Sequence, residues 1–173
     1  GSPATAAVGT YPITASNATG TGLANYTITY NNGTLTVNPA ALTITANNAS
    51  KTYGATASLT QFTATGLVNS DAVSAVTLSS TGSSVTAAVG TYPITASNAT
   101  GTGLGNYTIT YNNGTLTVNP AALTITANNA SKTYGATASL SNFTATGIVN
   151  SDTVSAVTLS STGSPATAAV GTY

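Results

Sequence analysis

The sequence predicts an all-β protein assembled from tandem copies of one small module. The chain repeats itself almost letter for letter every 81 residues, so that Tyr11, Tyr92 and Tyr173 are one position written three times. Apolar and polar residues alternate in many short runs, which is the period of a half-buried strand. No capping box leads into an apolar stripe with the helical period, so helices are not expected.

The repeat divides the chain into three segments. Residues 41–121 form one complete copy, residues 1–40 the C-terminal part of a copy, and residues 122–173 the N-terminal part of another. Asn-Pro-Ala, at 38–40 and again at 119–121, marks the clearest breaks, because proline lacks a backbone donor and favours extended geometry before it. Such a period is typical of arrays in which each module contacts its neighbours, so we expect an extended rod or fibre.

Within the complete copy, the predicted strands share alternating apolar residues bounded by Gly, Pro, Asn or Ser. Residues 47–50 are a turn cluster, Gly54 permits a sharp bend after Lys51-Thr52-Tyr53, and Pro93 predicts an edge strand or a strand entry. The strands are expected at Leu42–Ala46, within 59–67 with a bulge, at 72–80 and within 85–97.

The strongest local pattern in the chain predicts a hairpin. Alternating runs at 106–111 and 115–118 flank Asn112-Asn113-Gly114. Asn-Gly between two such runs favours a tight turn, because both residues tolerate the left-handed backbone conformation. We therefore expect these two runs to pair with each other.

Composition excludes several classes of function. Only 2% of the residues are charged and the formal net charge is zero, so no basic stripe exists to bind nucleic acid or an anionic membrane surface. No run of 18 apolar residues predicts membrane insertion. His and Cys are absent and each copy holds one acidic residue, which leaves no catalytic pair, no metal site and no cofactor site. We expect no enzymatic activity.

The few charges recur as one Lys and one Asp per copy, Lys51 with Asp71 and Lys132 with Asp152. One hypothesis is an intramolecular isopeptide bond, in which a desolvated Lys attacks an Asp or an Asn such as Asn69 or Asn106. The alternative is an ion pair between two loops, or two solvated charges, worth about 0–1 kcal/mol if exposed.

Tyrosine is the chief aromatic residue, with nine in the chain. Tyr26 with Tyr30, and Tyr107 with Tyr111, are spaced by four and share one face of a strand. They are expected either in a half-buried sheet face with the hydroxyl at its rim, or on a platform that stacks against sugars.

Four sequence motifs in order carry a resemblance to a known family: Lys-Thr-Tyr-Gly, Gly-Leu-Val-Asn-Ser-Asp, Val-Gly-Thr-Tyr-Pro-Ile, and Asn-Tyr-Thr-Ile-Thr-Tyr-Asn-Asn-Gly-Thr-Leu-Thr-Val-Asn-Pro-Ala. In this order they resemble the MBG domain family of the YGX type over the whole chain. The resemblance implies tandem arrays in large secreted and surface proteins of bacteria. It implies a β-sandwich or β-grasp-like fold, and it brings no catalytic residues.

The leading interpretation is a structural module of an extracellular filament or adhesin stalk at the bacterial cell surface. Its expected partners are neighbouring copies, joined head to tail and also side by side because little charge repulsion opposes association. Polysaccharide is a further possible partner. The alternatives are a glycan-binding adhesive module and an amyloid-like surface polymer.

Overall fold

A computed structural model describes residues 4–173, and it confirms the all-β prediction. Three single-turn 3-10 helices lie at Leu23–Asn25, Thr81–Ser83 and Leu104–Asn106. The strands are β1 (Gly9–Ile13), β2 (Gly33–Val37), β3 (Ala40–Ala46), β4 (Ala49–Thr52), β5 (Phe62–Thr65), β6 (Ala72–Ser79), β7 (Gly90–Thr102), β8 (Tyr107–Asn112), β9 (Gly114–Asn119), β10 (Thr124–Ala127) and β11 (Phe143–Thr146). They form four sheets, ordered β1-β2, β5-β3-β8, β4-β9-β7-β6 and β10-β11.

The described chain divides into two compact units, and each takes residues from two successive copies of the repeat. The first unit comprises the described residues up to Asn48, with Leu59–Ser80 and Pro93–Thr115. The second comprises Ala49–Ser58, Thr81–Tyr92 and Leu116–Tyr173.

In the first unit, β3 is the central strand of its sheet. It pairs antiparallel with β5, where Ile44 lies opposite Ala64, and parallel with β8, where Ile44 lies opposite Tyr111. Leu42, Ile44 and Ala46 alternate with less buried threonines, so one face of the strand enters the core. The same unit contains the antiparallel pair of β1 and β2.

In the second unit, β4 runs parallel to β9, with Lys51 opposite Val118. Val118 and Leu116 are fully buried and Lys51 is the buried charged residue. A second pair in this unit, β10 with β11, is antiparallel. Its register repeats that of β3 with β5 one repeat earlier, since Thr124 lies opposite Thr146 as Thr43 lies opposite Thr65.

Residues at equivalent positions of two repeat copies differ in solvent exposure. Ile44 on β3 is fully buried, whereas its copy Ile125 on β10 is 38% exposed. β3 has a strand on each side, while β10 has β11 alone. Alternation therefore forms the local strand in both places, but it does not by itself bury the apolar face.

The predicted hairpin at Asn112-Asn113-Gly114 is wrong. β8 and β9 do not pair with each other; β8 pairs in parallel with β3, and β9 with β4. None of the three residues has a left-handed backbone. Gly114 is required for a different reason, since a Cβ atom there would collide with the carbonyl oxygen of Ala46 and lie 2.8 Å from that of Asn47.

Three smaller expectations also need correction. The turn cluster at 47–50 shrinks to two residues, because β4 already begins at Ala49. The β3–β5 register is regular, and the irregular pairing lies between β6 and β7 instead. β7 has neighbours on both sides in its sheet, so it is not an edge strand. Its pairing with β6 begins at Thr95, so Pro93 removes no hydrogen-bond donor from the β6–β7 ladder.

Among residues 4–173, no helix is long and apolar enough to cross a membrane.

The role of Gly114 gives a prediction with a matched control. Gly114→Ala should lower the free energy of unfolding by about 1–3 kcal/mol, because the added methyl group overpacks a site closed by backbone. Gly33→Ala, the same change one repeat earlier, meets only ordinary contact, at 3.5 Å from the Ile13 Cβ atom, and should cost less. Urea denaturation of both variants measures the difference; equal losses would contradict this role.

Candidate functional site at the contact between successive copies

Residues 66–71, here called the junction loop, contain a strained backbone. Asn69 and Ser70 have φ values of 55° and 64°, and their copies Asn150 and Ser151 have 55° and 60°. Two consecutive non-glycine residues in the left-handed region are uncommon, and such strain persists only where surrounding contacts hold it. The junction loop and its copy at 147–152 are therefore candidates for a specific role.

In the complete copy, the Tyr107 side chain holds the junction loop. Its hydroxyl accepts a hydrogen bond from the Val68 backbone N–H at 2.9 Å and lies 2.8 Å from Asp71 Oδ2. The Asp71 backbone N–H donates a hydrogen bond to the Val68 carbonyl oxygen at 3.0 Å, which closes the turn. Gly103 packs directly against the Asp71 carboxylate, in space that a Cβ atom would fill.

The ionisation of Tyr107 is coupled to this arrangement. Burial raises the pKa of the Tyr107 hydroxyl above its ordinary value, and the hydrogen bond and charge of Asp71 act in the same direction. The hydrogen bond to the Val68 backbone opposes these effects by lowering the pKa. The phenol therefore stays protonated at neutral pH and donates its proton to the carboxylate.

The junction loop contacts the preceding copy of the repeat through an asparagine amide. Asn69 Nδ2 donates to the Ala4 carbonyl at 3.1 Å in the first unit. Its copy Asn150 donates to the Val85 carbonyl at 2.8 Å in the second unit, and Val85 stands one repeat after Ala4. The same bond between successive copies thus forms twice, at the repeat spacing.

In the second unit, the Lys-Thr-Tyr-Gly segment completes this contact. Gly54, with φ of 87°, donates its N–H to the Val85 carbonyl at 3.2 Å, so this carbonyl accepts from both copies. A Cβ atom on Gly54 would lie 2.7 Å from Val149 Cγ2, because the loop of the following copy packs against the glycine. The glycine therefore provides both the left-handed turn and the close approach.

The charged residues singled out in the sequence have separate partners. Lys51 Nζ donates to the carbonyl oxygens of Ala55, at 2.9 Å, and Ser84. Its copy Lys132 donates to those of Ala136, at 3.1 Å, and Pro165. The Asp71 carboxylate accepts from Tyr107, and the N–H of its copy Asp152 donates to the Val149 carbonyl at 3.0 Å. The lysines thus fix the bend that follows each of them.

The four tyrosines differ in exposure. Tyr107 is 8% exposed, so its ring cannot belong to an accessible platform, whereas its copy Tyr26 is 72% exposed. Tyr30 and Tyr111 are exposed, and their hydroxyls accept hydrogen bonds from the Ala18 and Ala99 N–H groups at 2.9 and 3.0 Å. Glycan stacking remains a prediction for Tyr26, Tyr30 and Tyr111.

Within residues 4–173, no group of three or more His, Cys, Asp or Glu side chains could hold a metal ion. Sequence reasoning noted Asn69 only as a crosslink partner and missed its contact with the preceding copy. The available signal was Asn-Ser-Asp after Gly-Leu-Val, since Asn and Asp favour left-handed turns.

The coupling of Tyr107 to the junction loop predicts a pH dependence. Because its pKa is raised on folding, the stabilisation is complete below the ordinary tyrosine pKa of about 10 and is lost as pH rises through the folded value. Tyr107→Phe should lower the urea midpoint at neutral pH and abolish this alkaline loss. Tyr26→Phe, at the exposed copy, should change neither; equal behaviour of both variants would contradict the coupling.

The contacts of Lys51 and Lys132 predict that both remain free amines. Intact mass spectrometry should give the mass calculated from the sequence. An isopeptide bond would lower that mass by about 17 Da with Asn or about 18 Da with Asp. Either loss would contradict this prediction.

Comparison with known proteins gives a match to a protein family. The MBG domain (YGX type) matches residues 2–36, 42–117 and 123–173, which is most of the chain. No curated protein and no solved structure matches the chain. The match covers the first three motifs, including the Tyr53-Gly54 turn and the junction loop, and the fourth as far as residue 117. The chain therefore belongs to the MBG domain family of the YGX type.

Proposed function

We propose that the chain is a structural, non-catalytic segment of an extracellular bacterial filament or adhesin stalk. MBG domains are repeat modules of large surface proteins. The observation that carries the proposal is the bond that recurs at the repeat spacing, from Asn69 to Ala4 and from Asn150 to Val85. A module that binds its neighbour in the same way each time builds an extended array, which is a structural role and requires no catalysis.

The backbone between copies supports a stiff array. Asn38 and Pro39 separate β2 from β3 at the first junction, and four residues, 120–123, separate β9 from β10 at the second, so the chain passes between copies through a short link. Proline restricts its own backbone and that of the residue before it, which lowers the freedom of this link. Together with the Asn69 bond, this short link favours a regular rod.

The surface chemistry supports contact with neutral partners. With 2% charged residues, little repulsion opposes side-by-side association of rods, and hydroxyl and amide groups are free to bond to neighbours or to polysaccharide.

A second candidate function is glycan binding through Tyr30 and Tyr111. Both rings are exposed, and each hydroxyl is fixed by a backbone N–H, which orients the ring before a ligand arrives. A fixed, exposed aromatic face is the arrangement that stacks on a sugar. Signal on a glycan array that Tyr30→Ala and Tyr111→Ala both reduce would favour this function.

Small-angle X-ray scattering of the monomeric chain tests the rod. A compact globule of this length has a radius of gyration of about 16 Å. We expect a clearly larger value and a skewed distance distribution, because the proposal places the copies end to end. A value near that of the globule would contradict the filament or stalk proposal.

A further inference from the structure

A β-bulge interrupts the pairing of β6 with β7 at Asn98. Asn98 and Ala99 of β7 together lie opposite the single residue Val76 of β6. Asn98 is exposed, and its φ of 49° lies in the left-handed region, which is uncommon for a residue other than glycine. Bulges redirect side chains and are frequent beside functional sites, so the amide of Asn98 is a candidate for binding.

Tyr111 on β8 is held against this bulge by a hydrogen bond. The Ala99 backbone N–H donates to the Tyr111 hydroxyl at 3.0 Å, and Tyr111 is 36% exposed. The tip of the ring is thereby held beside the peptide that follows Asn98. An exposed aromatic residue and an exposed asparagine are thus neighbours, although they belong to different strands.

The same arrangement recurs one repeat earlier, at Asn17 and Tyr30. Asn17 is exposed with φ of 53°, and the Ala18 backbone N–H donates to the Tyr30 hydroxyl at 2.9 Å. Tyr30 is 42% exposed. Residues 14–22 form no strand, so the arrangement does not depend on pairing with a strand such as β6. Two copies with different surroundings therefore hold the same pair of side chains in the same way.

The chemistry of each pair is that of a sugar site. Neither asparagine amide bonds to the rest of the described chain, so each keeps its donors and its acceptor for a ligand. The tyrosine ring offers an apolar face. A sugar ring has C–H groups on its face and, at its edge, hydroxyls that both donate and accept. The pair complements that pattern and offers no charge to an ionic ligand.

We propose that Asn98 with Tyr111, and Asn17 with Tyr30, form two equivalent binding sites for neutral saccharides. In each site the tyrosine ring stacks on the sugar and the asparagine amide bonds to its hydroxyls. This proposal rests on the glycan-binding function proposed above for the two tyrosines and adds the residue that forms the hydrogen bonds. Sites that recur at the repeat spacing give a repeating polysaccharide several points of attachment, which raises the overall affinity.

Site-resolved NMR titration of the isotope-labelled chain with neutral oligosaccharides of glucose, of mannose and of galactose tests the proposal. At least one of the three should shift the backbone amide signals of Ala18 and Ala99 with similar affinity, because the two sites are equivalent. Asn98→Gly should weaken the affinity measured at Ala99 about tenfold, through the loss of a hydrogen bond, and leave that measured at Ala18 unchanged.

Two controls separate loss of binding from loss of folding. Glycine adopts the left-handed conformation without strain, so the urea midpoint of Asn98→Gly should not fall. Asn113→Ala, at an exposed asparagine outside both sites, should bind like the parent chain.

Two results would overturn the proposal, and they differ in what else they affect. Unchanged affinity at Ala99 in Asn98→Gly, together with a loss in Tyr111→Ala, would remove the role of the asparagine and leave glycan binding by the tyrosines standing. No shift at either site with any of the three oligosaccharides would overturn both. The filament or stalk proposal is tested independently by scattering.

Discussion

The parallel pairing of β3 with β8 and of β4 with β9 is the constraint on which the rest of the structure depends. It brings the first two strands of a repeat beside its last two, which lie more than sixty residues later in the chain. β3 is thereby enclosed between two neighbours within its sheet, and its Leu42 and Ile44 are buried. β10 has the same sequence and one neighbour, and its Ile125 is 38% exposed, so local sequence alone does not determine burial.

The same pairing determines how copies meet. Tyr107 begins β8, and its hydroxyl holds Val68 and Asp71 so that the junction loop can adopt two left-handed residues in succession. The strained loop then presents the Asn69 amide to the preceding copy. The Asp71 carboxylate thus supports the loop that makes a contact between modules.

The sequence predicted the fold class and most strand positions, because alternation and breaks by Pro and Gly are local signals. The hairpin predicted at Asn112-Asn113-Gly114 does not form, because β8 and β9 pair with the distant strands β3 and β4 instead of with each other. The requirement for glycine at position 114 is explained only by the backbone of Ala46, which lies against it in the fold. Gly54 was expected to bend the chain, and it does, but its approach to Val149 depends on the following copy and leaves no local pattern.

Amide hydrogen exchange, resolved by NMR, tests the central claim most directly, because the chain contains its own control. Residues 42–46 and 123–127 have the same sequence, Leu-Thr-Ile-Thr-Ala, but only the first run lies between two strands. Monomeric chain should show strong protection of the amides at 42–46 and weak protection at 123–127, since exchange reports local opening. Equal protection of the two runs would contradict the claim that parallel pairing, rather than local sequence, closes the repeat.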